Sequence, residues 1–132
     1  VGGSVVDKAK FLRKHKFNIC FENASHPGYC TEKLLHAFAA GCVPIYWGDP
    51  TVARSVANGV HADFNPRALI SAHDFESFDK LIDHVAKVDQ SPELFDAHLQ
   101  EPIFTDDWYR PLSDWPTFCQ ELTELLFNSA EN

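Results

Sequence analysis

The chain has 132 residues, a hydrophobic fraction of 45% and a formal net charge of −8 at pH 7. This length suits one compact domain with an apolar core, so we predict a single domain over residues 1–132. The acidic balance argues against a nucleic-acid-binding surface, which needs a basic face. No apolar run reaches the roughly 18 residues of a membrane span, and no leader is recognisable. The sequence contains no methionine, which indicates a fragment or a processed piece.

The amino-terminal part of the chain predicts a helix followed by a strand. Ser4 with Asp7 three residues on is a variant of the capping box, and an apolar stripe follows it. Residues 17–21, FNICF, are rich in strand formers.

A polar turn, a helix and a second strand come next. Pro27 and Gly28 break the chain, Thr31 is expected to cap the helix, Gly41 ends it, and residues 43–47 resume as strand. A strand–helix–strand unit of this kind crosses over right-handed, which makes its two strands parallel. The predicted fold class is therefore α/β, with ligands expected in the crevice beyond the carboxyl ends of the strands.

The rest of the chain continues this pattern. Further elements are expected in chain order: a turn at 48–50, one or two helical turns at 51–57, a brief strand at 68–71, an amphipathic helix through 78–85, a helix that begins at Ser91 and Pro92, and a terminal helix through 118–126.

The start of the second helix carries an unusual charge. Lys33 lies near the positive end of the helix dipole, a placement that costs about 0.3 to 1 kcal/mol unless an anion is bound there. A diphosphate would remove that cost, and the neighbouring Glu32 carboxylate would suit sugar hydroxyls. The competing interpretation is an ordinary acidic first turn with Lys33 extended into solvent.

The order of these residues resembles a known donor-binding signature. The relevant run is CFENASHPGYCTEKLLHAFAAGCVPIYWGDP, and the similarity continues through VGG before it and DFNPRALISAHDF after it. It resembles the alpha-1,3-fucosyltransferases, in particular those of bacterial type. The resemblance implies inverting transfer of fucose from GDP-fucose to an N-acetylglucosamine or glucose hydroxyl, on a GT-B fold of two Rossmann-like domains. This chain would be the carboxy-terminal, donor-binding domain, with the acceptor domain absent.

The resemblance also assigns roles to single residues. Asn23 and Tyr29 would contact the donor, Glu32 would hold its ribose and Lys33 its diphosphate, while Glu22 ranks second as a donor contact. Two alternatives stay open for Asn23 and Tyr29: a turn residue that bonds its own backbone, and a half-buried aromatic. Glu22 could equally fix the turn through backbone N–H groups.

The predicted chemistry is stabilisation of the departing GDP by Lys33 and the helix terminus, so that no metal or other cofactor is required. The resemblance places the general base for the acceptor hydroxyl in the other domain. Two other functions stay open: a transferase for another nucleotide-sugar, and a non-catalytic phosphate- or nucleotide-binding module. Glycan acceptor, linkage and oligomeric state are not specified by these residues.

Cysteines and basic residues bear on location rather than chemistry. The four cysteines form no C-x-x-C pair and have no histidine partners at metal-ligand spacing, so no zinc site is predicted and reduced thiols in the cytoplasm are expected. Five basic residues crowd into the first helix and its exit, namely Lys8, Lys10, Arg13, Lys14 and Lys16. A solvated helical face is the simpler interpretation, and peripheral contact with an anionic inner-membrane surface is the alternative.

Overall fold

The computed structural model describes residues 8–53 and 64–105. Within these ranges a three-stranded parallel sheet has the order β1 (Phe17–Phe21), β2 (Val43–Trp47) and β3 (Ile70–Ser71). The first two strands have the predicted bounds. Their carboxyl ends lie at the same edge, because the parallel register pairs Phe21 with Trp47.

Helices lie before, between and after these strands. Their bounds are α1 Lys8–Leu12, α2 Lys33–Ala39, α3 Phe78–Gln90 and α4 Pro92–Gln100, with a short 3-10 turn at Ala72–Asp74. Positive backbone φ angles at Gly28 and Gly41, +84° and +76°, explain why glycine stands where the chain turns into α2 and out of it. Ser91 begins α4 as predicted, since its hydroxyl accepts a hydrogen bond from the Leu94 N–H at 3.3 Å.

The sheet separates two apolar clusters, which places helices on both of its faces. One cluster joins α1 and α2 to the sheet and includes Leu12, Leu34, Ala37, Cys20 and Tyr46. The other joins α3 and α4 to the opposite face and includes Val43, Ile45, Ile70, Leu81 and Val88. This arrangement confirms the predicted α/β class and the parallel sheet flanked by helices.

The predicted cap at Thr31 is wrong. The cap position of α2 is Glu32, and no side chain there bonds a free backbone N–H. The Thr31 hydroxyl instead donates to the Glu22 carboxylate at 2.7 Å. The Thr31 hydroxyl donates to a buried carboxylate, which is a strong acceptor, and does not accept a free N–H at the start of α2, so the local pattern misled.

Of the remaining predicted elements, one needs correction, and the others lie wholly or partly outside the described residues. The strand expected at 68–71 is shorter, since Ile70–Ser71 alone pairs with β2. Of the helical turns expected at 51–57, residues 51–53 form a turn and the others are not described. The capping residues Ser4 and Asp7 and the terminal helix at 118–126 also lie outside the described ranges.

The basic segment at 8–16 lies on the surface. All five of its cationic side chains are exposed. Lys16 donates to the Asp89 carboxylate at 2.7 Å, and the Lys8 ammonium lies 2.9 Å from His36 Nδ1. Across residues 8–53 and 64–105, no helix combines the length and apolarity needed to cross a bilayer.

Candidate functional site

The candidate site is built on the loop that leaves β1 at Glu22 and enters α2 at Lys33. Three hydrogen bonds tie this loop to the end of β2. The Glu22 N–H donates to the Trp47 carbonyl at 2.8 Å, and the Ser25 hydroxyl donates to the Gly48 carbonyl at 2.7 Å. The Gly28 N–H donates to Asp49 at 2.9 Å. The loop is therefore fixed at the carboxyl edge of the sheet, where the fold class predicts a ligand.

Glu22 lies inside this loop with its side chain fully enclosed, at 0% exposure. Its Oε1 accepts the Thr31 N–H at 2.8 Å, and its Oε2 accepts the Thr31 hydroxyl at 2.7 Å. Burial by itself raises the pKa of the carboxyl, but the hydrogen bonds from Thr31 and the charge of Lys33 outweigh it and hold the pKa of Glu22 below its usual value. Glu22 is therefore an ionised carboxylate at neutral pH.

Lys33 is the first residue of α2, and its ammonium reaches back to the end of β1. Lys33 Nζ donates to the Phe21 carbonyl at 2.7 Å and lies 3.2 Å from Glu22 Oε2. The side chain keeps 30% of its surface exposed. The ammonium is thus paired with a buried carboxylate, on a side chain that remains partly exposed.

The other predicted site residues share the loop without joining this ion pair. Asn23 and Glu32 are exposed, and Tyr29 is half-buried. The Tyr29 ring lies 5.0 Å from that of His26, and its carbonyl accepts a long hydrogen bond of 3.5 Å from the Tyr46 hydroxyl. The structure brings Glu22 and Lys33 into contact and leaves the side chains of Asn23 and Glu32 facing solvent.

Asp49 lies at the same edge of the sheet, in the turn expected at 48–50. Its carboxylate is buried and accepts hydrogen bonds from the Gly28 N–H and from both the N–H and the hydroxyl of Thr51, at 2.9, 2.8 and 2.7 Å. The bonds to Thr51 are ordinary turn chemistry, which an aspartate before proline predicts. The bond to Gly28 spans 21 residues, and no local pattern signals it.

His73, which had no role in the sequence prediction, lies beside the same edge. Its Nε2 is 3.1 Å from the Gly48 carbonyl oxygen, and its ring stacks on Trp47 with centroids 6.2 Å apart. The signal available in the sequence was its position two residues after β3, since the carboxyl ends of parallel strands share one edge.

The acidic, histidine and cysteine side chains in the described part of the chain form no group of three or more that could hold a metal ion. The three described cysteines, Cys20, Cys30 and Cys42, are not in disulfides. Burial raises the pKa of Cys20 to about 12, so its thiol is inert at neutral pH.

A parallel sheet with helices on both faces defines a Rossmann-like domain, and its match to solved alpha1,3-fucosyltransferases identifies the fold as GT-B. The chain belongs to glycosyltransferase family 10 (fucosyltransferase), whose C-terminal part matches residues 4–129.

Relatives and solved structures support this membership. Alpha-(1,3)-fucosyltransferase FucT of Helicobacter pylori is 44% identical over 108 residues, which are 81% of this chain and 21% of that protein. Alpha-(1,3)-fucosyltransferase B of Drosophila melanogaster is 30% identical over 96 residues, or 71% of this chain and 20% of that one. A crystal structure of alpha1,3-fucosyltransferase with GDP-fucose matches at 39% identity and a TM-score of 0.68, covering 76% of this chain and 28% of that one. The chain thus spans about a fifth of the length of these curated relatives.

Proposed function

We propose that residues 1–132 are the donor-binding domain of an alpha-1,3-fucosyltransferase. The reaction would move fucose, with inversion, from GDP-fucose to the 3-hydroxyl of an N-acetylglucosamine or glucose unit in a glycan. The observation that carries the proposal is the 39% identity to a structure solved with GDP-fucose. Since the chain spans about a fifth of its curated relatives, the acceptor site and the general base are proposed to lie in an acceptor domain outside it.

The proposed donor contacts are the residues that the family signature indicates. Lys33 would bind the diphosphate, Glu32 the ribose, and Asn23 and Tyr29 would line the pocket. Three of these four side chains are at least 30% exposed at the loop, and Tyr29 is half-buried beside them, so all four are accessible to a ligand. Glu22 does not share this accessibility.

The chemistry follows from the charges that the reaction creates. The bond between the fucosyl anomeric carbon and the diphosphate oxygen breaks, and its electron pair leaves with GDP. The acceptor oxygen bonds to the opposite face of that carbon and loses its proton to the base. Lys33 would stabilise the negative charge that grows on GDP, and a preorganised donor of this kind is worth about 10²- to 10³-fold in rate.

Because Lys33 supplies an ammonium donor at the diphosphate, we propose that no divalent metal is needed for donor binding. The expected result is that EDTA leaves the affinity for GDP unchanged. An affinity that falls with EDTA and returns with Mg²⁺ would contradict this.

The test of the function is calorimetric titration of the chain with GDP and GDP-fucose. Lys33→Ala should weaken binding about 10- to 100-fold, because a charge-assisted hydrogen bond contributes about 1.5 to 3 kcal/mol. Lys16→Ala is the matched control. It also removes one ammonium paired with a carboxylate, at the opposite end of β1, and should leave binding unchanged.

Two outcomes would favour the alternatives. Equal affinity for GDP-fucose, GDP-mannose and UDP-sugars would favour a different nucleotide-sugar transferase. GDP binding that Lys33→Ala does not alter would favour a non-catalytic phosphate- or nucleotide-binding module.

Cytoplasmic location and a peripheral membrane contact stay predictions. The exposed basic side chains at 8–16 suit an anionic surface. The engagement of Lys16 by Asp89 reduces the charge available for it.

A further inference from the structure

Glu22 is held more firmly than a ligand-binding side chain would be. Its backbone N–H is bonded to β2, and its carboxylate accepts both donors of Thr31 while lying 3.2 Å from the Lys33 ammonium. A side chain with 0% exposure and all of these partners has no face left for a donor substrate. We therefore expect Glu22 to act through Thr31 and Lys33, the residues that its carboxylate contacts.

The loop after β2 closes over this carboxylate. A Cβ placed on Gly48 would lie 2.4 Å from Glu22 Cγ and 2.9 Å from Glu22 Cβ, which is closer than real atoms approach. The absence of a side chain at Gly48 thus leaves the space that Glu22 occupies.

The position of Lys33 indicates what the buried Glu22 carboxylate does. A lysine ammonium has three N–H donors. One is donated to the Phe21 carbonyl at 2.7 Å, and the ion pair with Glu22 Oε2, at 3.2 Å, holds the ammonium from a second side. With the ammonium held between these two fixed groups, its remaining donor has a restricted range of directions, and 30% of the side-chain surface is exposed.

We propose that Glu22 is a positioning residue, which aims the remaining N–H of Lys33 at the diphosphate of the nucleotide-sugar. This rests on the proposed function. Lys33 on its four-carbon stem is flexible by itself, and a misplacement of about 1 Å in a catalytic group can cost about 10²-fold in rate. Glu22 and the Phe21 carbonyl remove that freedom before the donor arrives.

The test uses Glu22→Gln in the full-length fucosyltransferase that contains this chain. Glutamine keeps the size of the side chain and can still bond both groups of Thr31, but it has no charge for Lys33. The kcat for fucosyl transfer should fall by about 10-fold or more, since the leaving-group donor is no longer aimed. The KM for GDP-fucose should stay within about 3-fold, because the flexible ammonium still reaches the ground-state diphosphate.

Asp89→Asn is the matched control. It neutralises a carboxylate that is paired with an ammonium at the other end of β1, and it should leave kcat unchanged. A wild-type kcat in Glu22→Gln, or equal losses in both variants, would overturn the proposal. A rise in the KM for GDP-fucose with an unchanged kcat would also overturn it. Glu22 would then affect donor binding rather than the orientation of the Lys33 ammonium.

A second measurement needs no activity. The Lys33 ammonium should give an observable proton–nitrogen NMR signal in the wild-type chain, because anchored ammonium protons exchange slowly with water, and the signal should broaden in Glu22→Gln. No signal in the wild type would overturn the proposal even if the variant does not fold. Lys33→Ala distinguishes the positioning role from the proposed function. Unchanged GDP binding in Lys33→Ala refutes the proposed function. Loss of GDP binding in Lys33→Ala, together with a wild-type kcat and NMR signal in Glu22→Gln, refutes only the positioning role.

Discussion

Gly48 lies where the loop after β2 crosses the Glu22 side chain. Its ideal Cβ would come within 2.4 Å of Glu22 Cγ and 2.6 Å of the Tyr46 hydroxyl. Both neighbours belong to buried residues that are hydrogen-bonded in place, so neither has a free rotamer to move into. The site therefore depends on the smallest side chain at this position.

Gly48→Ala should destabilise the chain by about 1 to 3 kcal/mol, the usual cost of overpacking a closed site. Denaturation in urea measures this. Gly28→Ala is the comparison, because its Cβ would meet nothing within 4 Å and the change carries only the cost of a positive φ, about 1 to 2 kcal/mol. Because Gly48→Ala also pushes on Glu22, it should weaken GDP binding, and a variant that binds GDP as the wild type does would contradict the role given to this contact.

How far the sequence predicts the site is clear from two residues. Lys33 was expected at the start of a helix and is its first residue, because strand and turn patterns are local. The role of Glu22 was left open between donor contact and turn support, since its partners Thr31 and Lys33 lie nine and eleven residues on and meet it only after the loop folds back. Residue types in the sequence indicate which chemistry is possible, whereas the burial of a side chain such as Glu22 depends on the folded structure.

Among the elements, α3 shows what an apolar period predicts and what it does not. The repeat through Phe78, Leu81, Ile82 and Val85 predicted a helix correctly. It did not predict which side chains are buried: Leu81 is 4% exposed, whereas Ile82 is 62% exposed and Phe78 60%. The exposed pair lines an apolar groove of about 640 Å³ with Ile19 of β1.

These adjacent positions allow a matched test of burial. Leu81→Ala should lower the free energy of unfolding by about 2 to 5 kcal/mol, because it opens a cavity in the cluster with Val43 and Ile45. Ile82→Ala should change it by less than about 0.5 kcal/mol, since little area is buried and alanine favours a helix. Chemical denaturation of both variants measures the two changes. Equal losses in the free energy of unfolding would contradict the assignment of Leu81 to the buried face and Ile82 to the exposed face of α3.

The elements that were predicted poorly are those with the least local signal. β3 has two residues, Ile70 and Ser71, and both pair with β2. Ala68 and Leu69 precede it and are buried without a place in the sheet. An apolar run of this kind predicts burial, and strand pairing depends on the neighbour that tertiary structure supplies.

At the scale of the whole molecule, the net charge of the chain is opposite in sign to the residue proposed to bind the diphosphate. The chain carries −8 overall, while the candidate diphosphate contact is a single lysine beside a buried carboxylate. Long-range attraction of an anionic nucleotide is therefore weak, and binding has to come from short-range contacts in the loop. Weak GDP affinity in the isolated chain is the expected consequence.

The isolated chain should bind GDP-fucose without transferring fucose. Transfer with inversion needs a base within hydrogen-bond reach of the acceptor hydroxyl, and the proposed contacts on this chain serve the donor and its leaving group instead. The measurement is incubation with GDP-fucose and an N-acetyllactosamine acceptor, followed by mass spectrometry of the glycan, with Lys33→Ala as the blank. Fucosylated product formed by the wild type and absent from Lys33→Ala would show that the chain carries its own base, and the division of labour proposed between two domains would then be wrong.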